Sequence, residues 1–280
     1  MEHILIVDGS NLLFQMFYGM PNLILSRQGR PIQGVVGFVG ALLKIIRFLK
    51  PTHICVCFDG ECHNERRDLD EDYKANRPDY SLIPEEETPF SQLPDIYDAL
   101  DYLGICHRQT QCCEADDWIA GYALTLGREH RVTLVSQDSD FFQLISENVT
   151  VLRYRGENST LCTPDDIRER LGVTPEQYAD FKSLTGDTAD NIKGAPKVGP
   201  KTAAALLQQF GTLDATLQNI PLIKKPSIRA SLEASAQRLR LNQKLIRLTG
   251  AKDLPFTLEQ MAYTYRGQTT TQILTALNLR

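Results

Sequence analysis

Nine acidic residues stand where apolar runs end or where helices begin. Asp8 follows Ile4–Val7, Asp59 follows Ile54–Phe58, and Glu114, Asp116 and Asp117 open a helical stretch. Asp138 and Asp140 follow Val132–Val135, and Asp187 and Asp190 come later. A single Asp after a strand is ordinary, but a set this large suggests convergence. Buried like charges repel by roughly 4 kcal/mol per pair at contact distance and an effective dielectric near 20. Bound cations would make the convergence tolerable, and all-oxygen donors suit Mg²⁺ or Mn²⁺. The chemistry indicated is metal-dependent hydrolysis. Glu114 and Asp117 share a helix face and, with Asp116, Asp8 and Asp59, would make one cation site. Taken alone, these three acids would only complement a helix dipole. Asp138 and Asp140 project the same way if extended. Asp187 and Asp190 have turn or helix spacing and read more plainly as a turn residue and a cap. Together the two pairs could hold a second cation.

Cations accompany the acids. Arg66, Arg67, Tyr73, Lys74 and Arg77 lie between the Asp59 strand and the Glu114 helix, where surface charge is the ordinary explanation and contact with a scissile phosphate the specific one. Gly194 to Ala203 places two glycines and Lys193, Lys197 and Lys201 before a helix that starts at Pro200. Such a start lets backbone N–H groups approach a phosphate. It is no P-loop, because Pro200 follows Gly199; a turn between helices that grips a DNA backbone fits better.

The net charge is −5, yet between Asn191 and Gly250 ten Lys and Arg face only Asp214 and Glu233. A basic third beside an acidic site suits a phosphate-binding metalloenzyme, although a solvated helical face has the same charge. The seven cysteines lack zinc-site spacing and read as free thiols, with redox sensing by Cys112 and Cys113 the alternative. No apolar run approaches the roughly 20 residues of a membrane helix, and the N-terminus has no signal-peptide pattern. A cytoplasmic location is expected.

The elements that must position these residues follow from apolar patterning. Runs at Ile4–Val7, His53–Phe58, Val132–Val135 and Val149–Leu152 alternate with helices near Gln33–Leu49, Ser91–Leu103, Ala115–Leu126 and Phe141–Ile145. Continuous apolar strands imply an α/β fold with a mostly parallel central sheet flanked by helices. The site of such a sheet lies beyond the strands' carboxyl ends. After about Val173 the strand pattern stops. Helices are expected at Pro175–Leu184, Pro200–Phe210, Leu213–Gln218 and Ser227–Leu248, with a capping box at Thr174 and Gln177. The expected domains are therefore 1–173 and a helical 174–280, with 68–94 a long excursion rich in charge and proline.

The motifs Val7-Asp8-Gly9, Phe58-Asp59-Gly60, Tyr73 to Pro78, Glu114 to Asp117, Ser136 to Leu144, Gly186 to Asn191 and Gly199 to Ala203 occur in the order of one family. The chain resembles the 5′-nuclease (5′→3′ exonuclease/flap endonuclease) domain of bacterial DNA polymerase I and its stand-alone relatives over nearly its whole length. The resemblance implies a PIN-like core, a helical arch over 68–94, and a helix–three-turn–helix DNA-binding domain. It implies a stand-alone nuclease that cleaves DNA with a 5′ flap or 5′ end at a duplex junction. The first cation falls to Asp8, Asp59, Glu114, Asp116 and Asp117, and the second to Asp138, Asp140, Asp187 and Asp190. Lys74 and Arg77 would act on the scissile phosphate. Tyr73, Lys193, Gly194, Lys197, Val198, Gly199, Lys201 and Thr202 would contact DNA, with K⁺ a further cation at the loop. Gln15 and Ser139 replace basic residues common in the family. They support the alternative of a non-catalytic, structure-sensing DNA-binding protein; a PIN-like ribonuclease is the other. The intact second acidic group favours cleavage.

Overall fold

The sheet forms where β-branched and apolar residues run continuously. β1 (His3–Asp8), β2 (His53–Phe58), β3 (Cys106–Gln109), β4 (Arg131–Val135) and β5 (Val149–Arg153) are parallel, and β6 (Thr160–Cys162) closes one edge antiparallel to β5. A computed structural model describes residues 1–60, 65–111 and 113–280, so Cys112 of the adjacent thiol pair lies outside the described residues. Cys55, Cys57, Cys106 and Cys162 are free thiols. Ile4 and Ile6 pack into one core cluster, Leu5 and Val7 into another on the opposite face, and all four are wholly buried. That two-sided burial is why β1 shows no alternation.

The helices are α1 (Gly9–Gly19), α2 (Gln33–Leu49), α3 (Glu65–Leu69), α4 (Leu93–Leu103), α5 (Ala115–Leu126), α6 (Pro164–Leu171), α7 (Tyr178–Thr185), α8 (Pro200–Phe210), α9 (Leu213–Gln218), α10 (Pro226–Ile246) and α11 (Thr270–Ala276). Buried residues of α1, α2 and α4 join the Leu5 side of the sheet, and those of α5 and α6 the Ile4 side. Strand order is β3-β2-β1-β4-β5-β6, so connections run outward from β1 on both sides. The crevice between β1 and β4 is the topological switch point, where α/β sheets bind ligands. Register brings Asp8 level with Cys57 and Val7 level with Val135, which aligns the three carboxyl ends.

Several expectations are corrected. The stretch Phe141–Ile145 is a 3-10 turn, Asp140–Leu144, and a 3-10 turn at Pro175–Gln177 precedes α7. Strands do not stop at Val173: β7 (Gly186–Asp187) pairs with β8 (Ile192–Lys193), each too short to leave a periodic pattern. The C-terminal segment leaves the helical part. Tyr263, Ile273, Leu274 and Leu279 pack with α2 and α4, and the Tyr263 amide donates to the Thr52 carbonyl. The excursion is no continuous helical arch. After α3 it makes 3-10 turns at Tyr80–Leu82, Glu85–Glu87 and Pro89–Gln92, broken by Pro78, Pro84 and Pro89. Its foot folds down, burying Tyr73 among Ala179, Ile192, Leu245 and Ile246. Among the described residues no helix is long and apolar enough to cross a membrane.

Candidate metal centre

Strand ends deliver the first group of acids. Asp8 closes β1 and caps α1: its Oδ1 accepts from the Asn11 amide at 2.9 Å and its Oδ2 from Ser136 Oγ at 2.8 Å. Gly9 must follow, because any Cβ there would come within 2.5 Å of the Phe58 ring. Asp59 receives the Ala115 amide at 2.9 Å, so it caps α5 from outside and draws that helix's first turn to the sheet. The Asp138 amide donates to Ser136 Oγ at 3.0 Å, so one serine ties β1 to the loop behind β4. Burial and the charge of Asp59 push the Asp8 carboxyl up to about 7, with Asp138 adding to the effect. Burial drives Asp116 well above the carboxylate range; nearby Lys74 opposes this, while Asp138, Asp59 and Glu114 add to it. Asp59 and Asp138 thus lie close enough to Asp8, and Asp59, Glu114 and Asp138 close enough to Asp116, for each acid to feel its neighbours' charge.

The second group is Asp140, Asp187 and Asp190, whose carboxylate oxygens lie within 4.8 Å of one another. Lys182 Nζ bridges Asp140 and Asp187 from α7. Asp140 is pushed up to about 7 by burial, against the pull of Lys182 and with Asp138 and Asp190 beside it. Asp138 thus stands between the groups. Lys182 escaped the sequence reading. Its only signal was a cation inside a helical stretch otherwise flanked by Tyr178, Phe181 and Leu184.

The excursion's cations meet the acids directly. Lys74 Nζ reaches Glu114 Oε1 at 2.6 Å and lies over the Tyr73 ring, 4.9 Å from its centre. Arg66 holds Glu114 Oε2 at 2.5 Å and Asp117 Oδ1 at 2.7 Å. Arg77 pairs with Asp190 at 2.8 Å, and the Lys74 amide donates to the Asp190 carbonyl at 3.1 Å. Glu114 and Asp117 therefore face cations rather than lying open. Burial would push the Lys74 ammonium down, but Asp116, Tyr73 and Glu114 hold it above its ordinary value. A groove of ≈560 Å³ lined by Arg67, Lys74, Arg77 and Tyr80 opens beside them.

At the expected DNA loop, Lys193, Lys197, Lys201 and Gly199 are exposed and Thr202 is half-buried in the first turn of α8. Gly194 is required, since a Cβ would meet the Thr185 carbonyl carbon at 2.3 Å. Val198 and Tyr73 were expected to touch DNA, but both side chains are packed in the core, so Val198 offers only backbone. Gln15 instead donates to the Tyr154 carbonyl at 2.7 Å, a neutral link to the sheet edge.

Known protein families match the chain over nearly its whole length. The profile of the 5′-3′ exonuclease N-terminal resolvase-like domain matches residues 3–172, and that of the 5′-3′ exonuclease C-terminal SAM fold matches residues 173–269. The chain belongs to the 5′-3′ exonuclease family. Among relatives of this exonuclease-family chain, DNA polymerase I of Rhizobium leguminosarum is 37% identical over 268 residues, covering 92% of this chain and 25% of the relative. Thermostable DNA polymerase I of Thermus filiformis is also 37% identical, covering 92% of this chain and 30% of its own length. The chain thus spans about a quarter to a third of these relatives. A T5 5′-exonuclease structure with divalent zinc ions bound is 25% identical with a TM-score of 0.72, covering 88% of this chain and 89% of that one. The catalytic core of Rad2 in complex with DNA substrate shares the fold at 15% identity and a TM-score of 0.61, covering 99% of this chain and 92% of that one. Divalent ions are bound in the T5 neighbour, and Asp140, Asp187 and Asp190 form a group able to hold one here.

Proposed function

We propose that this chain is a structure-specific 5′→3′ exonuclease and flap endonuclease, hydrolysing DNA phosphodiesters at junctions of single strand and duplex to leave 5′-phosphorylated products. The observation that carries the reading is buried Asp8 at the β1/β4 switch point, with Asp59 and Asp138 near enough to raise its carboxyl, in a chain of the 5′-3′ exonuclease family. Asp8, Asp59, Glu114, Asp116 and Asp117 are assigned to one divalent cation, with Asp138 shared. Asp140, Asp187 and Asp190 are assigned to another. Mg²⁺ or Mn²⁺ fits, because every donor is oxygen and because cations would relieve the repulsion that raises Asp8 and Asp140. A bound pair supplies an acidified water and charge stabilisation at the leaving oxygen.

The chain's own groups do the rest. Asn11 and Ser136 fix both oxygens of Asp8, so its orientation is set before substrate arrives. Lys182 keeps Asp140 and Asp187 together. Lys74 and Arg77 are assigned to offset charge growing on the phosphate oxygens. Arg77 is half exposed on the groove side, so it can exchange Asp190 for phosphate. Lys193, Lys197, Lys201 and the first amides of α8, approached past open Gly199, are assigned to the duplex backbone, with K⁺ at that loop. The division 1–173 and 174–280 is retained as the functional one, with the return of 263–279 to the sheet bracing the two. Free thiols support a cytoplasmic setting in DNA replication and repair.

The test uses a 5′-flap DNA, a nicked duplex and the same shapes in RNA, each with Mg²⁺ and with chelator. Cleavage of the DNA flap at its junction, abolished by chelator, is expected. No cleavage with any metal, or a preference for RNA, would overturn the proposal.

A further inference from the structure

We infer that Arg66 is a positioning residue: it clamps Glu114 and Asp117 and thereby fixes where Lys74 places its ammonium. Among the described residues two cations hold the two oxygens of Glu114, Lys74 on Oε1 at 2.6 Å and Arg66 on Oε2 at 2.5 Å. The other arm of the Arg66 guanidinium holds Asp117 Oδ1 at 2.7 Å, so one rigid fork spans the first turn of α5. Arg66 sits on α3, a five-residue helix with no buried residue. A helix that short is not self-supporting, and α3 has no apolar face to hold it. Its described polar anchors include the fork of Arg66 and, just past the helix, the Asp70–Arg238 ion pair.

From α3 the chain passes directly to Lys74, which adopts the left-handed region at φ 57° and donates its amide to the Asp190 carbonyl. Arg66 and Lys74 thus reach one carboxylate from two points of the same excursion. With the fork removed, Glu114 and Asp117 lose the guanidinium that joins them, while the Lys74 contact to Glu114 Oε1 remains. The ammonium would then move with Glu114. The inference rests on the nuclease reading for the role of Lys74, and concerns Arg66 only through that residue.

The experiment measures single-turnover flap cleavage together with amide hydrogen exchange in Arg66→Ala, Arg66→Lys, Lys74→Ala and the Arg66→Ala/Lys74→Ala double variant. Arg66→Ala is expected to slow cleavage about 10²-fold, the scale of a misplaced group, with KM changed less than about threefold. The double variant should be no more than about threefold slower than Lys74→Ala, because the two residues act as one unit. Arg66→Lys, which satisfies one carboxylate at a time, should recover about tenfold of the loss. The Lys74 amide should lose protection in Arg66→Ala. Multiplicative losses, an effect confined to KM, or full activity in Arg66→Lys would each overturn the inference. If Arg66→Ala does not fold, Arg66→Lys decides by the last criterion. If the wild-type protein cuts nothing, the nuclease reading fails, and unchanged exchange at Lys74 would separately refute the clamp.

Discussion

Asp8 ends a strand buried on both faces, whereas Asp187 and Asp190 flank a short turn between β7 and β8, strands of two residues each. The two acid groups are neighbours joined through Asp138, yet they are built differently. The first is set by sheet register and by helix caps, so its like charges are forced together by the fold. Among the described residues no cation pairs with Asp8; its partners there are an amide and a serine hydroxyl. The second rests at the joint between sheet and helices and carries a resident ammonium, Lys182. Asp8 meets neighbouring acids with no described cation partner, whereas Asp140 and Asp187 share the Lys182 ammonium. That contrast predicts opposite responses to removing a charge.

The largest effect should fall on chemistry and should not separate the groups. Asp8→Asn and Asp190→Asn are each expected to lower flap cleavage by about 10³-fold or more, roughly 4 kcal/mol of barrier. Duplex affinity should stay within about threefold in both. Equal losses of binding and cleavage, measured by filter binding beside single-turnover rates, would break the division between metal site and DNA grip.

Stability should separate them. Lys182→Met leaves Asp140 and Asp187 without their buried counter-charge, and loss of one partner of a buried pair costs about 3–5 kcal/mol. Thermal unfolding without metal should show a Tm several degrees lower, and added Mn²⁺ should restore more of it than in wild type. An unchanged Tm would mean that Lys182 balances nothing.

Asp8→Asn should act in the other direction, raising metal-free stability at pH 8 by on the order of 1–3 kcal/mol. The unfolded Asp8 carboxyl ionises near its ordinary value, while in the folded protein it resists until about 7. Stability from this group is therefore full in acid and lost as pH rises from about 4 through 7. Asp140 adds to the same slope. Urea titrations across that window should show a shallower decline in Asp8→Asn, and an identical slope would contradict stored repulsion.

The smallest effects belong to the remote loop. Lys193→Ala, Lys197→Ala and Lys201→Ala should each flatten the plot of log affinity against log salt by about 0.9 if each contacts one duplex phosphate. An unaltered slope in all three would move the duplex elsewhere on the protein.

Much of this was legible because register and burial act on consecutive residues. Ile4–Val7 and His53–Phe58 announced buried parallel strands, and their following Asp residues announced the site. The helices Gln33–Leu49, Ala115–Leu126 and Pro200–Phe210 were readable to the residue from amphipathic patterning, Gly and Pro. What stayed hidden depends on long-range partners. Lys182 resembles any helical lysine until Asp140, more than forty positions earlier in sequence, is placed against it. Arg66 was noticed as a possible phosphate contact, but its engagement with Glu114 and Asp117 needed the excursion folded down. Tyr73 looked like a surface aromatic beside two cations, and only the packing of α7, β8 and α10 shows it as an anchor. The strands β7 and β8 were too brief for any periodicity.

An anomalous difference map from crystals grown with Mn²⁺ goes straight to the centre of this account. It should show one peak among Asp8, Asp59, Glu114, Asp116 and Asp117, and a second among Asp140, Asp187 and Asp190, with Asp138 between them. A map empty at both positions, or with manganese only on unrelated surface carboxylates, would contradict it.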